Sequence, residues 1–126
     1  MRISLFVIPL LMVMGLYTVH AEDQAETKAT EGKLGDMSAF KSIAEDTLKL
    51  VKAEDLAAAK IRIKDLETAW DKAEEKLKPV NPGKWTSVDK SIDRVLANLR
   101  SGQADAKVCT TSLETLISKL NAADNK

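Results

Sequence analysis

Histidine, cysteine and tyrosine each occur once in the 126 residues, beside two phenylalanines and two tryptophans. A single thiol, Cys109, rules out an intramolecular disulfide, so a domain built from this chain has to be held by its apolar core. The five glycines never gather into a phosphate-cradling loop, and no P-loop or kinase pattern is present. Neither sign of charge prevails: 19 basic and 19 acidic residues give a net charge of zero, and no run of Lys or Arg makes a stripe suited to nucleic acid.

Long apolar sequence occurs in one place only, the amino terminus. Met1-Arg2-Ile3-Ser4 is short and positive, and residues 5–16 are apolar apart from Pro9 and Gly15. Val19 and Ala21 then stand at the −3 and −1 positions of a cleavage point before Glu22. This is the three-part pattern of a secretory signal. The apolar run falls short of the roughly 20 residues of a spanning helix, and no cysteine follows the cleavage point to carry a lipid. The expectation is a signal peptide over 1–21, cut between Ala21 and Glu22, and a periplasmic or secreted product with no stable membrane anchor. The absence of an Asn-x-Ser/Thr sequon and of disulfides fits a bacterial exported protein better than a eukaryotic one.

Cleavage changes the chemistry left in the chain. About 105 residues remain, enough for one domain, with a net charge of about −1 because Arg2 is lost. His20 and Tyr17 are lost too. Imidazole is the commonest metal ligand and general base, so Ser-His-Asp and Cys-His machinery cannot be assembled from residues 22–126. Haem ligation by a Met and a His on a helical bundle fails for the same reason: Met37 offers one ligand and nothing offers the other. A di-iron bundle needs a Glu-x-x-His pair that is missing. Met37 and Cys109 alone make a poor copper site. Glu67, Asp71, Glu74 and Glu75 cluster in sequence, but Lys64, Lys72, Lys76 and Lys78 are interleaved with them, the pattern of a solvated, salt-bridged helix face. No catalytic residue, metal ligand or cofactor is expected.

What the chain has in quantity is helical periodicity. Residues 22–35 are polar and aperiodic and read as a flexible leader, with order expected from about Asp36. Met37, Phe40, Ala44, Thr47 or Leu48, and Val51 recur at helical spacing, with Asp36 or Ser38 as a cap. Ala53-Glu54-Asp55 reads as a tight turn with Asp55 capping the next helix; one long helix through residue 54 is the alternative. Leu56, Ala59, Ile63, Leu66, Trp70, Ala73 and Leu77 then alternate by three and four without a break. Asn81 and Pro82 open a third helix, with Val80 and Trp85 placed as a hydrophobic staple. It runs through Val88, Ile92, Val95 and Leu99 to a left-handed cap at Gly102. Asp105 caps a fourth, whose stripe is Ala106, Cys109, Leu113, Leu116 and Leu120. The expected fold is all-α: an antiparallel four-helix bundle over 36–121 built from two helical hairpins, followed by a frayed tail over 122–126. Lys41-Ser42-Ile43 echoes in Lys90-Ser91-Ile92 and Leu66-Glu67-Thr68 in Leu113-Glu114-Thr115, at offsets of 49 and 47. Either an internal duplication or chance accounts for strings this short.

The runs Asp65-Leu66-Glu67-Thr68-Ala69-Trp70-Asp71, Trp85-Thr86-Ser87-Val88-Asp89-Lys90-Ser91-Ile92-Asp93 and Val95-Leu96-Ala97-Asn98-Leu99-Arg100 resemble a group of small, functionally uncharacterised bacterial exported helical proteins. The resemblance covers roughly residues 55–100 and implies an exported bundle and no activity. Some of that group carry a histidine-kinase label, which does not transfer: residues 22–126 hold no phosphoacceptor histidine and no ATP-binding domain. The expected role is a non-enzymatic accessory or interaction protein that docks an unknown protein partner through its helix faces or through the Trp70 and Trp85 end. The alternative is a periplasmic carrier or sensor of a small apolar ligand or metal, using Trp70 and Trp85 at one end of the bundle. Nucleic acid is not an expected partner.

Overall fold

The computed structural model describes residues 32–126. The expected signal segment over 1–21, its cleavage point at Ala21 and Glu22, and most of the 22–35 leader lie outside the described residues. Residues Lys33–Lys126 form one unit of four helices: α1 (Ser38–Lys52), α2 (Leu56–Leu77), α3 (Pro82–Arg100) and α4 (Ala106–Ala123). Helix α1 packs on α2 and α4, and α3 packs on the same two, which closes a helical bundle. Among the described residues there is no strand, and no helix is long and apolar enough to cross a membrane.

Three of the four helix starts are set by side chains that satisfy otherwise orphaned backbone donors. The Ala58 N–H donates to the Asp55 carboxylate at 3.1 Å, the Lys84 N–H to the Asn81 side-chain oxygen at 3.1 Å, and the Lys107 N–H to the Asp105 carboxylate at 2.7 Å. Helix α1 has no side-chain cap of its own. Its first turn is tied instead from Asp36, whose carboxylate accepts from the Ser38 N–H and hydroxyl.

The break between α1 and α2 is a true turn, not a kink in one long helix. Glu54 stands in the left-handed region at φ 62°, the Asp55 N–H donates to the Leu50 carbonyl at 2.9 Å, and the Glu54 N–H donates to the Val51 carbonyl at 2.8 Å. That nested pair of bonds is the Schellman motif, with glutamate where glycine is usual. The third helix ends differently from expectation. Ser101 is extended at φ −64°, ψ 144°, and Gly102 does not adopt positive φ, so no left-handed cap forms there. Val80 is 60% exposed, so it makes no staple over Trp85.

Both chain ends of the unit are tied down, contrary to the expected flexible leader up to 35 and frayed tail over 122–126. Leu34 is buried, its N–H donates to the Ala123 carbonyl at 2.8 Å, and the Asn125 N–H donates to the Gly35 carbonyl at 2.9 Å. Asp124, 4% exposed, pairs with Lys41 at 2.7 Å, and this ammonium holds its carboxyl below the usual value. One apolar side chain in a polar stretch and one carboxylate facing a lysine 83 residues away supply what periodicity cannot reveal.

The core repeats within the unit. The buried positions Met37, Phe40, Ala44, Thr47 and Val51 recur 48 residues later as Trp85, Val88, Ile92, Val95 and Leu99. Ala59, Ile63, Leu66 and Trp70 recur 50 residues later as Cys109, Leu113, Leu116 and Leu120. The difference of two residues equals the difference between the connections, residues 53–55 and 101–105. The Lys-Ser-Ile and Leu-Glu-Thr echoes, at offsets of 49 and 47, therefore do not follow the register in which the two helix pairs match.

Candidate functional site

Trp70 and Trp85, the residues that sequence singles out for binding, come together in the core. Their exposures are 1% and 7%. The rings stack with centroids 5.5 Å apart and planes 16° from parallel, and Phe40 meets Trp70 edge-on at 5.2 Å. Each such pair contributes on the order of 0.5–1.5 kcal/mol beyond area burial. The Lys78 ammonium lies 5.1 Å from the Trp85 ring centroid and covers it from solvent. Both indole N–H groups lack a hydrogen-bond partner at full geometry among the described residues. Asp89, half-buried on α3, is a carboxylate that the Trp70 indole reaches. Burial pushes its carboxyl above the usual value, nearby Asp93, Asp71 and Glu74 add to the rise, and the Trp70 N–H opposes it. Cys109 is buried without a disulfide partner, and burial pushes its thiol up, leaving it unreactive. Among the described residues no three of His, Cys, Asp and Glu converge on a metal-sized site.

A concavity lies elsewhere, along the seam between α3 and α4. It encloses about 860 Å³, within the range of small-molecule sites, and neither tryptophan lines it. Four cations do: Lys90 and Arg94 from α3, Lys107 and Lys119 from α4. Among the described residues no carboxylate lines it. Serine, threonine and asparagine supply most of the remaining lining, with Val108 the one large apolar side chain. A smaller depression of about 480 Å³ sits at the α2–α3 connection beside Glu74, Glu75 and Lys78.

Helical spacing builds the groove. On α3, Ser87, Ser91, Arg94 and Asn98 follow one another at intervals of four, three and four, so they share a face adjacent to the apolar stripe. On α4, Lys107, Thr111, Thr115 and Lys119 are spaced strictly by four. Several of these groups already order one another across the seam. The Asn98 amide donates to the Ser112 hydroxyl at 3.0 Å, that hydroxyl donates to the Cys109 carbonyl at 3.1 Å, and the Lys119 ammonium donates to the Ser87 hydroxyl at 2.9 Å. The hydroxyls of Thr86, Ser87, Ser91 and Thr115 donate to no protein acceptor among the described residues. Among the described residues, none of the four lysine and arginine side chains is within ion-pair distance of a carboxylate, whereas Lys41, Lys52, Arg62, Lys78, Arg100 and Lys126 each are. The groove is thus rich in donors and positive charge and, among the described residues, has no carboxylate in its lining. Sequence inspection misses it because an apolar period directs attention to the core face; the signal lies in the neighbouring polar stripe, where hydroxyls and cations recur without acids.

Comparison of the chain with models of known protein families, with curated proteins and with solved structures returns no match in any of the three.

Proposed function

We propose that this chain is an exported, non-enzymatic helical protein that works by binding, and that its ligand site is the groove between α3 and α4. The lining carries the proposal: four cations and no carboxylate, among the described residues, in a chain whose charges balance. A concavity of one sign raises the local concentration of an oppositely charged partner and speeds its capture. The groups stand on helices and not on loops, which suits a preorganised site. An antiparallel course of α3 and α4 is supported by the pairing of Ser87 with Lys119 and of Asn98 with Ser112. Connections of three to five residues support the same course for the other neighbours. Export rests on the signal pattern over 1–21, and the non-enzymatic assignment on a sequence over 22–126 that lacks histidine. On this view the tryptophan pair belongs to packing.

A reporter dye tests the assignment. Thr115→Cys labels the groove selectively, because the buried Cys109 thiol does not compete. Fractions of the exported milieu should change the emission of dye at position 115 and leave unchanged a dye at the exposed Lys64 of α2. Equal responses at both positions, or none at position 115, would contradict the proposal.

A further inference from the structure

The two helix pairs share one core register, so each residue of the α3–α4 groove has a counterpart on the α1–α2 seam. The comparison shows what has been exchanged. On α1–α2, Arg62 is neutralised by two carboxylates, Asp46 at 2.9 Å and Asp65 at 2.8 Å. The corresponding positions of α3–α4 hold Arg94 in place of Asp46, Ser112 in place of Arg62 and Thr115 in place of Asp65. The arginine persists on the opposite helix, and both carboxylates are replaced by other groups. Two more cations enter where the first seam has alanine: Lys107 matches Ala57, and Lys119 matches Ala69. One seam pairs its arginine with two carboxylates, and among the described residues its counterpart has no carboxylate in its lining.

We propose that the α3–α4 groove binds an elongated ligand carrying several phosphoryl groups, which supply the negative charge that Asp46 and Asp65 supply on the first seam. The proposal rests on the groove being the ligand site. Its length argues for an extended ligand: Lys107 and Lys119 are twelve residues apart on α4, about 18 Å along the helix axis at 1.5 Å per residue. That span exceeds the reach of one compact anion. The donor set argues for phosphoryl over carboxylate. The arginine fork pairs with carboxylate and phosphate alike, so Arg94 serves either, and the discrimination comes from the lysines and hydroxyls. Three lysines acting as point charges, with the hydroxyl donors of Ser87, Ser91 and Thr115 between them, match a tetrahedral oxyanion that accepts from several directions. Such groups come either from a soluble phosphate chain or from the headgroups of an anionic membrane.

Calorimetry with the chain from residue 22 onward tests this at about 50 mM salt, where charge is weakly screened. The probes are orthophosphate, linear tripolyphosphate, a longer linear polyphosphate, and vesicles of phosphatidylglycerol in phosphatidylcholine. Affinity should rise from orthophosphate to the longest chain. Arg94→Gln with Lys119→Gln should weaken it at least about tenfold, equivalent to about 1.4 kcal/mol. Lys60→Gln with Lys64→Gln removes the same charge from α2 and should leave affinity within about twofold. Thr115→Asp restores a carboxylate at the counterpart of Asp65, so it should fold normally and abolish binding. Vesicle binding that the groove variants remove, without binding of soluble chains, would assign the phosphoryl groups to a membrane surface and uphold the proposal. No binding of any phosphate probe, or equal weakening by both double variants, would overturn it. If the dye at position 115 still responds to exported material in that case, the groove remains the ligand site and only the phosphoryl assignment falls.

Discussion

Replacing Glu54 by glycine separates the turn from its alternative by the sign of the effect. In the turn, Glu54 sits at φ 62° with its side chain exposed, so its only large contribution is conformational strain. A left-handed L-residue costs about 1–2 kcal/mol. Glycine removes that cost and gives back about 0.5–1 kcal/mol through the greater freedom of the unfolded chain. The net is a stabilisation of about 0.5–1 kcal/mol. For a domain of this size 1 kcal/mol corresponds to about 4–8 °C in Tm, so Glu54→Gly should melt about 2–8 °C higher. Glu54→Ala keeps the Cβ and the strain, and should melt close to the parent. Were residues 38–77 one continuous helix, glycine in its interior would cost about 1 kcal/mol against alanine, and Tm would fall. Thermal unfolding followed by far-ultraviolet circular dichroism reads the difference. A Tm for Glu54→Gly below that of Glu54→Ala would refute the turn and the register built on it.

Two carboxylates should respond to pH in opposite senses. Asp124 is held below the usual value of 3.8 by Lys41, so its contribution is present above 3.8 and disappears as pH falls through the folded value; Asp124→Asn should lower Tm at pH 7, and the deficit should close in stronger acid. Asp89 is raised above 3.8 by burial, so its ionised form opposes folding at neutral pH and the penalty fades as pH falls; Asp89→Asn should raise Tm at pH 7 and lose that advantage near pH 4. Melting curves of Asp89→Asn at pH 7 and near pH 4, and of Asp124→Asn at pH 7 and in stronger acid, check the signs. Urea unfolding of Trp70→Ala should show a loss of about 3–5 kcal/mol, as expected for a large buried side chain. Trp70→Phe, which keeps a buried ring, should cost far less.

The helices were legible because each buries one stripe. Ile63, Leu66 and Trp70, or Leu113, Leu116 and Leu120, can share a face only at the helical period. Caps were legible where a short polar side chain precedes such a stripe, as at Asp55, Asn81 and Asp105. The Lys41–Asp124 pair and the burial of Leu34 depend on contacts between chain ends, which no local pattern encodes. Glycine at 102 suggested a left-handed cap because glycine tolerates one, but tolerance is not a requirement, and the helix ends on an extended Ser101. The tryptophans were conspicuous by type and turned out stacked in the core. The groove was inconspicuous because serine, threonine and lysine on a helix read as an ordinary wet face. Its distinctness emerges only when α3 and α4 are set against α1 and α2 in the common register, where apolar and ion-paired positions give way to hydroxyls and uncompensated cations.

A nitrogen-15 NMR titration of the chain from residue 22 onward with linear polyphosphate tests the groove assignment most directly. Amide shifts should concentrate on Ser87, Ser91, Arg94, Thr111, Thr115 and Lys119, with the Trp70 and Trp85 indole resonances unmoved. Shifts centred on the tryptophans, or spread evenly over the lysines of α2, would contradict it.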